Sequence, residues 1–338
     1  MKLLIFLFFL CSQSWGQIEH VCASGCGYTT MAAAYTAAGP LSIIQIDDNS
    51  ITNEAVTIGK NIAGIQGLNS GIVWASAVTV ALNISSGLTQ AFFLKNITIK
   101  QSSSGLTIDW SGLGNGSSVT IFNANIYNST SGCVRIDVIL TSANQFSLIN
   151  SKIVNTGSSN CFIINSAIIT TNPILLQNEL FVGSKTAGIG VLDNSSVDTN
   201  SVLNCQNCSI LNCGLGFSLK AVFTCSNDIF LGNTTDLSIT APAALSQFSY
   251  TGFGQQASGA GTSCIYGLTA SQELCDNNNY WLSPASKTRN KGTSITGITN
   301  TLVGLNGILH GNACTNGNDD MGCNPYSPAL CGGYGLGK

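Results

Sequence analysis

An asparagine recurs within similar short apolar segments along the middle of the chain, and its spacing restricts the fold more than any other feature. It stands at Asn96, Asn123, Asn150, Asn178, Asn207 and Asn227, at intervals of 27, 27, 28, 29 and 20 residues. The flanking residues repeat with it: Leu94-Lys95-Asn96-Ile97, Ile121-Phe122-Asn123-Ala124, Leu148-Ile149-Asn150-Ser151, Leu176-Gln177-Asn178-Glu179, Cys205-Gln206-Asn207-Cys208 and Cys225-Ser226-Asn227-Asp228. A second register, Ile108-Asp109, Ile136-Asp137, Ile164-Asn165 and Leu192-Asp193, repeats every 28 residues, and Leu219-Lys220 follows 27 later. Self-similarity at one period marks a solenoid. The segments are short, β-branched and punctuated by Asn and Gly, which is poor helical material. A period near 27 therefore predicts rungs of three short strands joined by turns. Rungs stack about 4.8 Å apart, so each strand extends a parallel sheet. Inward Ile, Leu, Val and Phe then form a continuous core, and the repeated Asn can hydrogen-bond to its counterparts at a turn. The short interval from Asn207 to Asn227 predicts a clipped turn.

Composition decides what such a solenoid can present. Only 8% of the 338 residues are charged and the net charge is −3, against about a quarter charged in ordinary domains. That leaves no electrostatic footprint for nucleic acid or anionic lipid. Asn, Ser, Thr and Gly must cover the surface, which suits sugars, neutral polymers or protein partners.

Residues 1–16 read as a signal peptide. Lys2 precedes an apolar run from Leu3 to Leu10, and Ser14 and Gly16 fit a cleavage site before Gln17. No later segment reaches the roughly 18 apolar residues of a membrane span. The expectation is a secreted, extracellular chain. Its 14 cysteines suit an oxidising compartment. Removing Cys11 with the leader leaves an odd number, so one thiol is free or bridges two chains in an oligomer. Cys205 and Cys225 share a rung position, and Cys133 and Cys161 share another. Stacked Cα atoms about 4.8 Å apart fall within disulfide range, so both pairs are predicted to bridge. Cys22 and Cys26 are expected to form a local bridge. Sequons at Asn83, Asn96, Asn115, Asn128, Asn194, Asn207 and Asn233 make the chain a candidate glycoprotein.

The ends carry a family resemblance. Val21-Cys22-Ala23-Ser24-Gly25-Cys26-Gly27-Tyr28-Thr29-Thr30-Met31, followed by Ala32 to Ala38 and then Ser42-Ile43-Ile44-Gln45-Ile46, resembles the start of pectin-lyase-like β-helix proteins. Tyr280-Trp281-Leu282-Ser283-Pro284-Ala285 through Gly292 is similar to the segment that often closes secreted members. The resemblance implies an all-β, right-handed, single-stranded parallel β-helix. Residues 17–70 would form a short helical cap and first rungs, residues 71–245 the regular rungs, and residues 246–338 a Cys-rich C-terminal cap. It says little about function, because the superfamily includes lyases, hydrolases, esterases, adhesins and structural proteins.

The candidate chemistry is sparse. Asp109, Asp137 and Asp193 are expected on one line, with Asn165 between the last two. Carboxylates on adjacent rungs could serve glycoside hydrolysis, or hold Ca²⁺ for an elimination with Arg135 nearby. The ordinary alternative is a polar turn ladder that satisfies backbone N–H groups. The motif series of polygalacturonases and pectin esterases are missing, and His20 and His310 are the only histidines. Between residues 91 and 245 only Lys95, Lys100, Arg135, Lys152, Lys185 and Lys220 could neutralise a uronate. Cys205-x-x-Cys208, followed by Cys213, admits a zinc or redox reading, with disulfide bonding the plainer one. Gly332-x-x-x-x-Gly337-Lys338 lacks the context of a phosphate loop, and Asn318 to Gly322 reads as a turn. Trp110, Tyr127, Tyr280 and Trp281 are candidate sugar-stacking residues. The reading is a non-catalytic adhesive, matrix or cell-wall protein that binds glycan or protein, without a cofactor. The alternative is a lyase or hydrolase of uronate-rich polymers, the one case in which Ca²⁺ is expected.

Overall fold

The computed structural model describes residues 16–311, apart from 53, 77–81, 85–90, 102–105, 109–117, 129–131, 137–144, 166–173, 185–187, 195–201, 221, 241–243, 245–246, 257, 277–280, 284, 289–290, 292–300 and 304–308. Residues 1–15 of the signal-peptide segment, Asn115, Trp110, Tyr280, Asn318 to Gly322 and Gly332 to Lys338 lie outside the described residues.

The chain winds into an all-β parallel β-helix, as the repeat and the resemblance implied. Three strand columns form its wall. The first face runs from Ile43–Ile46 through Gly64–Gly67, Gln145–Ile149, Ile174–Gln177, Val202–Gln206 and Val222–Ser226 to Phe248–Ser249. The second face includes Val73–Ser76, Lys152–Asn155, Leu180–Val182, Ser209–Leu211, Ile229–Leu231 and Gly252–Phe253. Two long strands, Phe92–Gln101 and Ser118–Asn128, bend from the first face into the second, so the two share one sheet. The third face stacks eight strands, from Val56–Ile58 to Thr235–Ile239. These neighbours pair in parallel.

The bend between the first two faces explains the asparagine repeat. Asn96, Asn123, Asn150, Asn178, Asn207 and Asn227 all have positive φ, between 53° and 61°. Asparagine tolerates this left-handed geometry better than any other residue with a side chain. Its amide also links rungs. Asn123 Nδ2 donates to Asn96 Oδ1 at 2.7 Å, Asn178 Nδ2 to Asn150 Oδ1 at 2.7 Å, and Asn207 Nδ2 to Asn178 Oδ1 at 3.0 Å. Tyr250, with φ of 48°, takes the next place in the column. The clipped turn lies between Leu215–Leu219 and Val222–Ser226, where two residues join the third face to the first.

The interior stacks like with like. One inward column contains Ile44, Ile65, Leu94, Ile121, Leu148 and Leu176, then Cys205, Cys225 and Phe248, all without solvent exposure. Toward the C-terminal end aromatic rings fill the core. Phe230 lies 5.0 Å from Phe217 and 5.3 Å from Phe253 between ring centroids, and Tyr266 stacks on Phe253 at 5.8 Å.

Both ends of the stack are tied down. At the N-terminal end the helix Met31–Ala37 buries Met31 and Ala34, and Thr30 Oγ1 accepts from Ala33 N. Glu54 Oε2 accepts from Met31 N at 2.8 Å, placing a negative group where free helical N–H groups point. At the other end, residues 265–288 do more than cap. Ile265, Leu268, Leu274 and Leu282 cover an apolar patch on the outside of the second face, made by Leu180, Val182, Leu211, Ile229 and Leu231. Glu273 pins this segment. It is fully buried and accepts from Ser286 Oγ, Thr288 Oγ1, Lys287 N and Thr288 N.

Candidate functional site

The expected carboxylate line does not assemble as read. On the third face Ile136 pairs with Ile164, and Ile164 pairs with Asp193. Asp193 therefore occupies an inward core position, one residue out of line with Asn165. This rung is 29 residues long rather than 28, and a slip of one residue sends a side chain to the opposite side of a strand. Asp193 is 2% exposed, and its Oδ2 accepts from Lys220 N at 3.0 Å. Arg135 holds the outward, middle position of Val134–Ile136. The wall of the third face thus separates Arg135 from Asp193. Asp109 and Asp137 lie outside the described residues.

Two neighbouring columns on the outside of the first face make a nearly neutral surface. One is Gln45, Gln66, Lys95, Phe122, Ile149, Gln177, Gln206, Ser226 and Ser249. The other contains Phe93, Thr120, Leu175, Asn204 and Thr224, with Ser147 buried among them. Amides within the first column bond to each other: Gln66 Nε2 donates to Gln45 Oε1, and Gln177 Nε2 to Gln206 Oε1 at 3.2 Å. Phe122 is 39% exposed at the centre, and the Lys95 ammonium sits 4.7 Å from the Phe93 ring centroid. Aligned amides and hydroxyls beside an exposed ring offer hydrogen bonds and a stacking surface without formal charge. Phe93 and Phe122, not the aromatics singled out from the sequence, occupy this surface, and both fall at outward places of the repeat. Tyr127 is half-buried on the second face.

The structure gives several sequons another purpose. Asn128, Asn207 and Asn233 are at most 3% exposed. Asn128 Nδ2 donates to Gly132 O, Asn207 Nδ2 to Asn178 Oδ1, and Asn233 Nδ2 to Ile210 O and Asp236 Oδ1. A glycan on any of these three nitrogens would have to displace those hydrogen bonds within the wall. Asn96 is half-buried and accepts from Asn123 within the ladder. Asn194 is exposed, and the Asn83 side chain lies outside the described residues.

The cysteines also divide. Cys22 and Cys26 are bridged, with Cα atoms 5.7 Å apart. Cys205 stacks on Cys225 as the repeat requires, and Cys133 on Cys161, yet all four carry free thiols. In-register residues of a parallel sheet point their Cα–Cβ bonds the same way. Their Cβ atoms stay about 4.8 Å apart, outside the roughly 3.5–4.5 Å that a disulfide takes. Stacking was legible, but convergence of the side chains was not.

Just after the asparagine bend, an inward column carries the most polar groups of the interior: Ser151, Glu179, Cys208, Asp228 and Thr251, following Ile97 and Ala124. Several of these groups accept from the backbone of the preceding rung. Ser151 Oγ accepts from Ala124 N, Glu179 Oε1 from Ser151 N, and Asp228 Oδ1 from Cys208 N. Burial pushes the Glu179 and Asp228 carboxyls well above the ordinary carboxylate range. Burial likewise raises the thiols of Cys205 and Cys208, and that of Cys225 to about 11. Among the described residues no helix is long and apolar enough to cross a membrane.

No protein-family model matches the chain, and no curated protein matches it. Among solved structures it is similar to the pectate lyase Pel9A, at 13% identity over 93% of this chain and 97% of that one, with a TM-score of 0.40. That likeness concerns overall fold alone; the parallel β-helix stands on the strand register above.

Proposed function

We propose that this is a secreted, non-catalytic β-helix protein with an adhesive, matrix or wall role, whose first face binds an uncharged glycan or protein surface. The observation that carries the reading is that face: stacked Gln amides, Ser and Thr hydroxyls, and an exposed Phe122. Sugar rings present hydroxyls at their edges and C–H groups on their faces, which match amides and aromatic rings respectively. Strands about 4.8 Å apart repeat these groups regularly, and an extended polymer can engage many weak contacts at once. The scarcity of charge fits a neutral partner better than a polyuronate.

The polysaccharide-cleaving alternative has lost Asp193 from its acid line. Its support reduces to Asp109, Asp137 and the fold resemblance. To test the binding reading, the mature protein is passed over immobilised chitin, cellulose, pectate, alginate and glycosaminoglycans, beside the Phe122→Ser variant. Retention on one polymer that falls at least about tenfold in the variant supports the reading. Equal retention of both proteins removes the first face from it.

A further inference from the structure

The deepest polar cluster lies inside the wall, away from the first-face surface. The register sets Cys205-Gln206-Asn207-Cys208 directly against Cys225-Ser226-Asn227-Asp228. Cys205 and Cys225 are stacked, inward members of the first face. Cys208 and Asp228 follow the left-handed asparagines, whose turn brings them back to the interior. All four residues have no solvent exposure. One ligand atom from each of Cys205, Cys208 and Asp228 falls within 4.8 Å of the others.

We propose that Cys205, Cys208 and Asp228, with Cys225 as the fourth ligand, form a buried structural zinc site between two rungs of the β-helix. The carboxylate argues for a cation. Asp228 Oδ1 accepts from Cys208 N at 2.8 Å and faces Cys205 Sγ at 3.6 Å, while Oδ2 is buried without a hydrogen-bond partner. A buried, unsatisfied carboxyl oxygen is costly, and a metal ion satisfies it directly. The Cys208 N–H fixes the carboxylate's orientation, as outer-layer hydrogen bonds do around metal ligands. Zinc takes thiolate and carboxylate ligands at about 2.0–2.3 Å in a tetrahedron. Ligand atoms already gathered within 4.8 Å need only a small contraction around it. Two or three thiolates exclude calcium and magnesium, which take oxygen ligands.

Cys225 completes the tetrahedron. It is the fully buried in-register neighbour of Cys205, outside the three atoms already gathered, so its side chain turns toward them to supply the fourth sulfur. On binding, each thiol and the carboxyl lose their protons to solvent and the cation takes their place; no electron transfer is involved. The completed site would be closed to substrate, so its role is to clamp the two tightest rungs.

The test uses the full mature chain, purified from medium without reductant or chelator. Metal content is measured by mass spectrometry. Cysteines are alkylated under denaturing conditions without reduction, then mapped. The expected result is about one zinc per chain, with Cys205, Cys208 and Cys225 all recovered as alkylated thiols. Cobalt(II) exchange should give thiolate-to-metal absorption, and Asp228→Asn should lower zinc retention against a chelator by about tenfold or more. If that variant does not fold, the wild-type measurements decide alone. Absence of stoichiometric zinc, or a disulfide involving Cys205, Cys208 or Cys225, overturns the proposal.

Discussion

The rungs before Asn150 and those after it follow the same path but fill the same interior place differently. Immediately after the left-handed residue of the bend, Asn in six rungs and Tyr250 in the last, the early rungs carry Ile97 and Ala124, and the later ones carry Ser151, Glu179, Cys208, Asp228 and Thr251. In the early rungs the column adds hydrocarbon to the core. In the later rungs Ser151, Glu179 and Asp228 accept from N–H groups one rung below, while Cys208 and Thr251 donate to carbonyls. At Ser151, Glu179 and Asp228 the fixed offset between rungs gives one oxygen of each side chain a backbone N–H partner. Replacing one member of the column also affects the rung beneath it.

Substitutions can break this comparison, beginning with the core that both regions share. Phe230 contacts Phe217, Phe248 and Phe253. Phe230→Ala should lower stability by about 3–5 kcal/mol, read as a fall in the urea midpoint. Glu179→Ala should cost about 2–3 kcal/mol, because it leaves a cavity and orphans the Ser151 N–H. Glu179→Gln keeps the acceptor and should cost much less, a contrast that a purely steric role would not produce. In the asparagine column, Asn178→Ala should cost about 2 kcal/mol through the left-handed backbone and lost ladder bonds. Asn178→Gly restores the backbone term alone, so its remaining cost relative to the wild type measures the ladder, and the difference between the two variants measures the left-handed backbone.

A smaller effect depends on pH. Burial raises the Asp236 carboxyl above its ordinary value although it accepts from Gln255 N and Gln256 N. The folded chain then holds this proton more tightly than the unfolded chain. Its contribution to stability is greatest below about pH 4 and declines as pH rises through the folded value. Asp236→Asn should flatten part of that decline in melting temperature against pH. The smallest effect on stability is expected at Phe122. Phe122→Ser should change it by less than about 0.5 kcal/mol, while binding to a retained polymer falls.

The sequence made the wall legible because stacking repeats both spacing and chemistry. Asparagine at a left-handed bend is a local requirement, and the 27-residue interval fixed which residues lie above one another. Tyr250 escaped notice because the backbone, rather than an asparagine, marks the last bend. Asp193 leaves the expected register through one extra residue after Ile164, which no local pattern shows. Cys205 over Cys225 was read in register, but the sequence does not say that parallel Cα–Cβ bonds keep the two sulfurs from bridging. The joint approach of Cys208 and Asp228 depends on side chains turning inward after the bend, so the spacing pointed to Cys213 as the third cysteine while the structure brings Asp228 instead. The cover over the second face, from Ile265 to Leu282, came from a region with no repeat to guide it.

The central functional claim, binding without cleavage, is tested most directly by one assay. Purified mature protein is incubated with and without Ca²⁺ on pectate, alginate, chitin, cellulose and glycosaminoglycans, and new reducing ends, unsaturated-uronate absorbance and retained protein are measured together. The account predicts retention on at least one polymer and no cleavage of any. New chain ends that appear with the wild type and vanish with Asp137→Ala would contradict it and restore the acid line as a catalytic site.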